Sequence, residues 1–178
     1  MKILKSITCA TLLFLAVGVN AQSTKDTKII KDADKAKEKL ITMEVGLDQF
    51  FNNSAGYVVF PNVGKGGFII GGASGNGVVY EKGAKIGMAD LKKLSVGLQA
   101  GGQAITEVIF FETPADLEEF KDGDFEFSAE ASAVALKSGV AVNAKYRDGV
   151  AVFALPKAGL MADASVGGQK FEYTPMMK

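Results

Sequence analysis

Four lysines, Lys28, Lys31, Lys35 and Lys39, step along the chain by three, four and four positions. At about 100° per residue, a helix would carry them in one stripe. Beside them Ile29, Ala33, Ala36, Leu40, Met43, Leu47 and Phe50 alternate steps of four and three, which draws an apolar stripe along the same helix. Lysines bordering an apolar face can lay their methylene stems on lipid and reach phosphates with their heads. The plainer chemistry is an amphipathic helix packed on a core, with solvated lysines. Asp32, Asp34, Glu38 and Glu44 dilute the positive charge, and the pattern alone favours the packed helix.

Other clusters are weaker. Gly64-Lys65-Gly66-Gly67 has no Ser or Thr after its lysine and no helix pattern behind it, so it lacks the parts of a phosphate loop. Gly71-Gly72-Ala73-Ser74-Gly75-Asn76-Gly77 is no dinucleotide fingerprint and reads as a hairpin turn. Asp116, Glu118, Glu119, Asp122 and Asp124 are acidic but lack ordered calcium-loop spacing, so they read as a solvated helix face and turn. Asn52-Asn53-Ser54 matches a glycosylation acceptor and is taken as a cap and loop.

What is missing constrains the chemistry more. The chain has no histidine, and its one cysteine, Cys9, lies in the leader described below. Ser-His-Asp and Cys-His nucleophile systems are therefore excluded, as are the usual zinc and haem sites. Isolated carboxylates and lysines are what survive. We expect no enzyme, no cofactor and no metal.

Along the chain, residues 25–51 read as one long helix ended by Asn52-Asn53-Ser54-Ala55-Gly56. The pattern then changes to period two. Residues 57–60, 67–71, 77–81, 93–101 and 104–111 read as strands. Thr113-Pro114-Ala115-Asp116 opens a short helix to about Phe120, with Thr113 as cap, Pro114 at the first position and Asp116 in the first turn. Residues 125–136, 139–146, 149–155 and 159–167 complete the strands, with Arg147-Asp148-Gly149 as a hairpin turn. The expected architecture is α+β: a long N-terminal amphipathic helix on a strongly curved, barrel-like antiparallel sheet with one short inserted helix. Gly56 to Phe68 and Gly149 to Leu160 both read as strand, Pro/Lys/Gly turn, strand. Duplication and shared turn chemistry explain that equally well.

At the front, Lys2 and Lys5 precede an apolar run from Ile7 to Val19, and Val19-Asn20-Ala21 precedes Gln22. This is the layout of a secretory signal peptide, too short for a comfortable membrane span. We expect residues 1–21 to be a leader and 22–178 a single domain exported across the inner membrane, periplasmic or envelope-associated. The whole chain has 20 Lys+Arg against 20 Asp+Glu; without Lys2 and Lys5 it has 18 against 20, a net charge of −2. Nothing in that balance attracts nucleic acid. Any anionic partner must meet a local patch.

Ala55-Gly56-Tyr57-Val58-Val59-Phe60-Pro61-Asn62-Val63-Gly64-Lys65-Gly66-Gly67-Phe68 resembles the opening block of SYLF domains. Gly71-Gly72 with Gly75-Asn76-Gly77-Val78 continues it, and Gly97-Leu98-Gln99-Ala100-Gly101-Gly102-Gln103 is similar to the family's Gly-x-Gln-x-Gly block. The strand to Phe111, the helix from Thr113, Ala129 to Ala135 and Lys157-Ala158-Gly159-Leu160 follow in order. The family's tryptophan-containing block is absent, and Gly87-Met88-Ala89-Asp90 stands in its place.

The resemblance implies lipid binding, with a basic amphipathic N-terminal segment as the contact; some eukaryotic members also bind actin filaments. Carried onto this chain, the contact is Lys28, Lys31, Lys35 and Lys39, with Lys65 and Lys157 in adjacent basic turns. In an exported chain the ligand implied is an anionic phospholipid or another envelope amphiphile. Two alternatives stand beside it: an envelope protein as partner, and an apolar ligand enclosed by the sheet.

Overall fold

A computed structural model describes residues 24–43, 46–123, 134–135 and 144–176. The leader expected over residues 1–21, the strand expected from Phe125 apart from Val134–Ala135, and most of the strand expected from Gly139 lie outside them. Helix α1 spans residues 24–43 and α2 spans Leu47–Asn53. Strands β1 (Gly56–Glu81) and β2 (Ala84–Phe111) are followed by α3 (Pro114–Asp122), β3 (Val134–Ala135) and β4 (Val150–Pro175). The sheet order is β1-β2-β4-β3. The long strands pair antiparallel, and only the two-residue β3 runs parallel to its neighbour.

The apolar periodicity places α1 correctly, but the helix expected over residues 25–51 is two helices. Gly46 stands at φ 98° and caps α2, a left-handed backbone that interrupts the helical ladder. The short helix opens as its sequence requires: the Thr113 hydroxyl accepts from the Asp116 backbone N–H, and the Asp116 carboxylate accepts from the Thr113 backbone N–H at 2.8 Å. The expected turn at Arg147-Asp148-Gly149 is present. Asp148 and Gly149 have φ 48° and 76°, the left-handed pair of a two-residue hairpin, closed by reciprocal Arg147–Val150 bonds. Residues 144–146 belong to no strand.

The strands expected as short pieces are continuous. Residues 57–60, 67–71 and 77–81 all belong to β1, and 93–101 and 104–111 to β2. The Gly71–Gly77 segment is therefore strand and not a hairpin turn. The turn lies at Lys82-Gly83, with φ 49° and 81°. The glycines serve a different purpose, which is close approach. A Cβ on Gly77 would come within 2.6 Å of the Phe60 ring and 2.8 Å of the Val59 carbonyl oxygen. One on Gly56 would come within 2.7 Å of the Tyr80 carbonyl oxygen. The two ends of β1 thus lie against each other, and only a residue without a side chain fits between them. Among the described residues no pairing joins the outer strands, so the sheet is open. Barrel-like closure gives way to one strand doubling back through its register shifts.

Each face of this folded sheet carries a buried core. On one face Tyr57, Val59, Val78, Tyr80, Val108, Phe110, Ala151 and Phe153 pack under α1 and α2, which contribute Ala33, Ala36, Leu40, Leu47 and Phe51. On the other, Val58, Phe60, Ile109, Phe111, Val152 and Phe171 pack with Leu117 and Phe120 of α3. Burial on both sides explains the unbroken apolar runs of residues 57–60 and 108–111. The two similar segments, Gly56 to Phe68 and Gly149 to Leu160, flank β2 from opposite sides. Phe111 pairs with Gly56 and with Val150, and each segment carries a register shift near its proline, Pro61 or Pro156.

Candidate functional site

Helix α1 is held at the junction of the two ends of β1. Tyr57 and Tyr80 stack there, centroids 4.8 Å apart and planes within 17°. Lys37 donates to the Tyr57 hydroxyl at 2.6 Å, and its ammonium lies 5.3, 5.0 and 5.6 Å from the rings of Phe51, Tyr57 and Tyr80. One turn earlier, Asp34 accepts from the Tyr80 hydroxyl at 3.0 Å and from Lys85 at 2.8 Å. Burial, then the Asp34 bond, pushes the Tyr80 hydroxyl well above its ordinary pKa, so it remains a donor. Periodicity offers no reason to single out Lys37 or Asp34. They flank the apolar stripe like any other charged pair, and only the docked tyrosines reveal their work.

Facing away from this clamp, Lys28, Lys31, Lys35 and Lys39 are exposed. Lys28 pairs with Asp32 at 3.0 Å. That hydrogen bond, with the charges of Lys28, Lys35 and Lys157, holds the Asp32 carboxyl below its usual range. Lys157 comes from β4, where it is the unpaired residue of the shift between Pro156 and Ala158. It donates to Asn62 at 2.8 Å. Partial burial first, and then the Lys39 charge, lowers its own pKa. Lys28, Lys35 and Lys157 thus act on the single carboxylate of Asp32, and Lys39 acts on Lys157. Lys157 lies on a bulge and not in the turn expected for it.

Lys65 is likewise within β1, paired in register with Gln103, and half-buried. Its charge acts on Glu107, in the middle of β2. Glu107 is 1% exposed, and its Oε1 has no hydrogen-bond partner among the described residues. Burial raises its pKa; Lys65 and then Lys93 pull the other way. A carboxyl whose folded pKa is raised contributes stability that is present below the unfolded pKa and lost as pH rises through the folded value. Glu107→Leu should therefore stabilise the fold by about 1–3 kcal/mol near neutral pH. The gain should be smaller under acid conditions, where the wild-type carboxyl keeps its proton in both states. Urea midpoints at the two pH values check this, and a loss of stability at neutral pH would sink it.

In the acidic cluster Asp116 and Glu118 have local partners, and Asp124 lies outside the described residues. Asp116 caps α3, and Glu118 pairs with Lys121 at 2.6 Å. Among the described residues no group of three or more His, Cys, Asp or Glu is placed to hold a metal ion. No helix of the described residues is long and apolar enough to cross a membrane.

Fold and site together define an α+β domain whose N-terminal helix is clamped to a doubled-back sheet and presents a lysine cluster outward. The family model described as Ysc84, Las17-binding protein actin regulator, matches residues 92–174. Beta cell expansion factor A of Aeromonas veronii is 29% identical over 158 residues, covering 86% of this chain and 59% of that protein. Both likenesses agree with the SYLF resemblance carried by the ordered sequence blocks described above. The chain spans about 59% of the length of that relative. The family model is described as that of a binding protein and regulator.

Proposed function

We propose that the protein binds anionic lipid surfaces peripherally, as an exported, envelope-associated member of its family, through the outward lysines of α1 and Lys157. The observation that carries this reading is that Lys28, Lys35 and Lys157, from two elements far apart in sequence, act on the single carboxylate of Asp32, with Lys39 acting on Lys157 beside them. Gathering like charges costs the fold energy and does nothing for its core. Each lysine held near an anionic membrane contributes about 1 kcal/mol. The apolar stripe of α1 does not take part, because Ala33, Ala36 and Leu40 are buried against the sheet. The lysine heads alone make the contact, with the helix docked. A protein partner is the second reading, favoured by the family description, which names binding to a protein.

Co-sedimentation with phosphatidylcholine vesicles and with vesicles containing phosphatidylglycerol, at low and high salt, tests the proposal. Binding should require the anionic lipid. It should fade as salt shortens the screening length from about 8 Å to about 3 Å. Equal affinity for neutral vesicles, or no binding to either, would overturn it.

A further inference from the structure

Beyond the start of α1, the sheet face that the helix covers continues without a cover among the described residues. Met88 packs into the helix-side core. Lys25 and Ile29 of α1 line a small cleft with Met88 and Asp90. Along β2 the next residues on that face are Lys92 and Leu94, because side chains alternate. Lys92 pairs in register with Ser74 of β1 and Lys170 of β4; Leu94 pairs with Gly72 and Gly168. Ile70 pairs with Val96, which sets it diagonally beside Leu94. On β4, Phe171 belongs to the opposite core, so Lys170 and Glu172 share the face of Lys92.

The face therefore carries successive rows: Asp90 with Glu172, then Lys92 with Lys170, then Leu94, with Ile70 diagonally one row beyond it. Ile70 and Leu94 are 67% and 74% exposed, far more than surface packing explains for large aliphatic residues. Two lysines directly opposite each other repel. The Lys92–Glu172 contact, at 4.0 Å between side chains 74% and 71% exposed, offsets little of that. Rows on one face lie about 7 Å apart. That spacing lets aliphatic side chains enter acyl chains while lysines behind them reach the head groups.

We propose that this patch is a second lipid contact, in which Ile70 and Leu94 insert into an anionic bilayer and Lys92 and Lys170 meet its phosphates. The proposal rests on the peripheral-binding reading above and supplies the apolar anchor that buried α1 cannot. The occupant is a lipid surface because an aliphatic pair backed by a repelling cation pair matches the layering of a bilayer with anionic head groups.

The chain contains no tryptophan, so Leu94→Trp gives fluorescence that reports this position alone. With vesicles of phosphatidylglycerol and phosphatidylcholine, its emission should move to shorter wavelength and be quenched by brominated acyl chains. Ile70→Ser combined with Leu94→Ser should weaken co-sedimentation roughly tenfold. The circular dichroism spectrum should stay that of the wild type, since both side chains are exposed. Co-sedimentation of the Leu94→Trp variant with no change in its emission would overturn this inference and leave the peripheral-binding reading standing. No co-sedimentation at all would overturn both. A blue shift that grows with protein concentration in the absence of vesicles would mean that a second copy covers the patch, which also overturns it.

Discussion

Changing Lys28, Lys31, Lys35 and Lys39 together to Gln is expected to weaken partitioning onto anionic vesicles by roughly two to three orders of magnitude, at about 1 kcal/mol per lysine. All four side chains are exposed, so the variant should fold as the wild type does. The opposite change sharpens the test. Asp32 is the carboxylate on which Lys28, Lys35 and Lys157 act, so Asp32→Asn should strengthen partitioning by up to about fivefold. Vesicle titrations at low salt measure both. If the quadruple variant binds as tightly as the wild type, the lysines are merely a solvated helix face and the contact lies elsewhere. If Asp32→Asn weakens binding, the local charge argument fails even where the lysines matter.

Truncating Phe110 to Ala is expected to cost about 3–5 kcal/mol of stability, on the scale of buried aromatic deletions. Phe110 is fully buried on the helix-side face of β2. Its ring lies 5.4 Å from Phe50, 4.8 Å from Phe51, 5.8 Å from Tyr57 and 5.8 Å from Phe153. It therefore joins α2 to β1 and β4 at one point, and no neighbour can move to fill the space without leaving its own contact. A loss of that size is a large part of the stability of a domain this long. Chemical denaturation reads the effect directly, and a cost under about 1 kcal/mol would show that the aromatic cluster repacks. Phe50→Ala provides the comparison. That ring is only half-buried, so its loss should be the smaller of the two.

Local chemistry was legible where one residue type has one reason to be in place. Thr113, Pro114 and Asp116 announced the start of α3, and Asp148-Gly149 announced a hairpin. The stripe from Ile29 to Leu40 announced α1. Glycine was misleading because it has two uses. Gly71 to Gly77 looks like a turn, yet Gly75 and Gly77 sit in a continuous strand where Val63, Val59 and Phe60 approach too closely for a side chain. Lys82-Gly83, the real turn, lacks the Asn or Asp that usually marks one. The break at Gly46 was hidden because the apolar stripe continues in phase through Leu47 and Phe50.

The candidate site was half legible. Spacing on one helix found its four lysines, but nothing in linear order could show that Lys157 joins them, since the shift at Pro156 does that. Nor could it show that Lys65 answers to Glu107. The alternation of Lys93 and Leu94 could be read from the strand pattern, which gives Leu94 its face. Its exposure could not, because that depends on how much of the sheet α1 covers.

The clamp on α1 also bears on the order in which the chain acquires its structure. Lys37 and Asp34 grip a pair of stacked tyrosines contributed by opposite ends of β1. That pair does not exist as a surface until the β1–β2 hairpin has formed and doubled back. Asp34 then reaches partners 46 and 51 residues away, at Tyr80 and Lys85. Contacts that span such lengths are late and slow to form. Helix α1 therefore settles only once that hairpin exists, and until then Ala33, Ala36 and Leu40 have no sheet to pack against. For a chain exported as proposed, that interval belongs to the journey rather than to the finished protein.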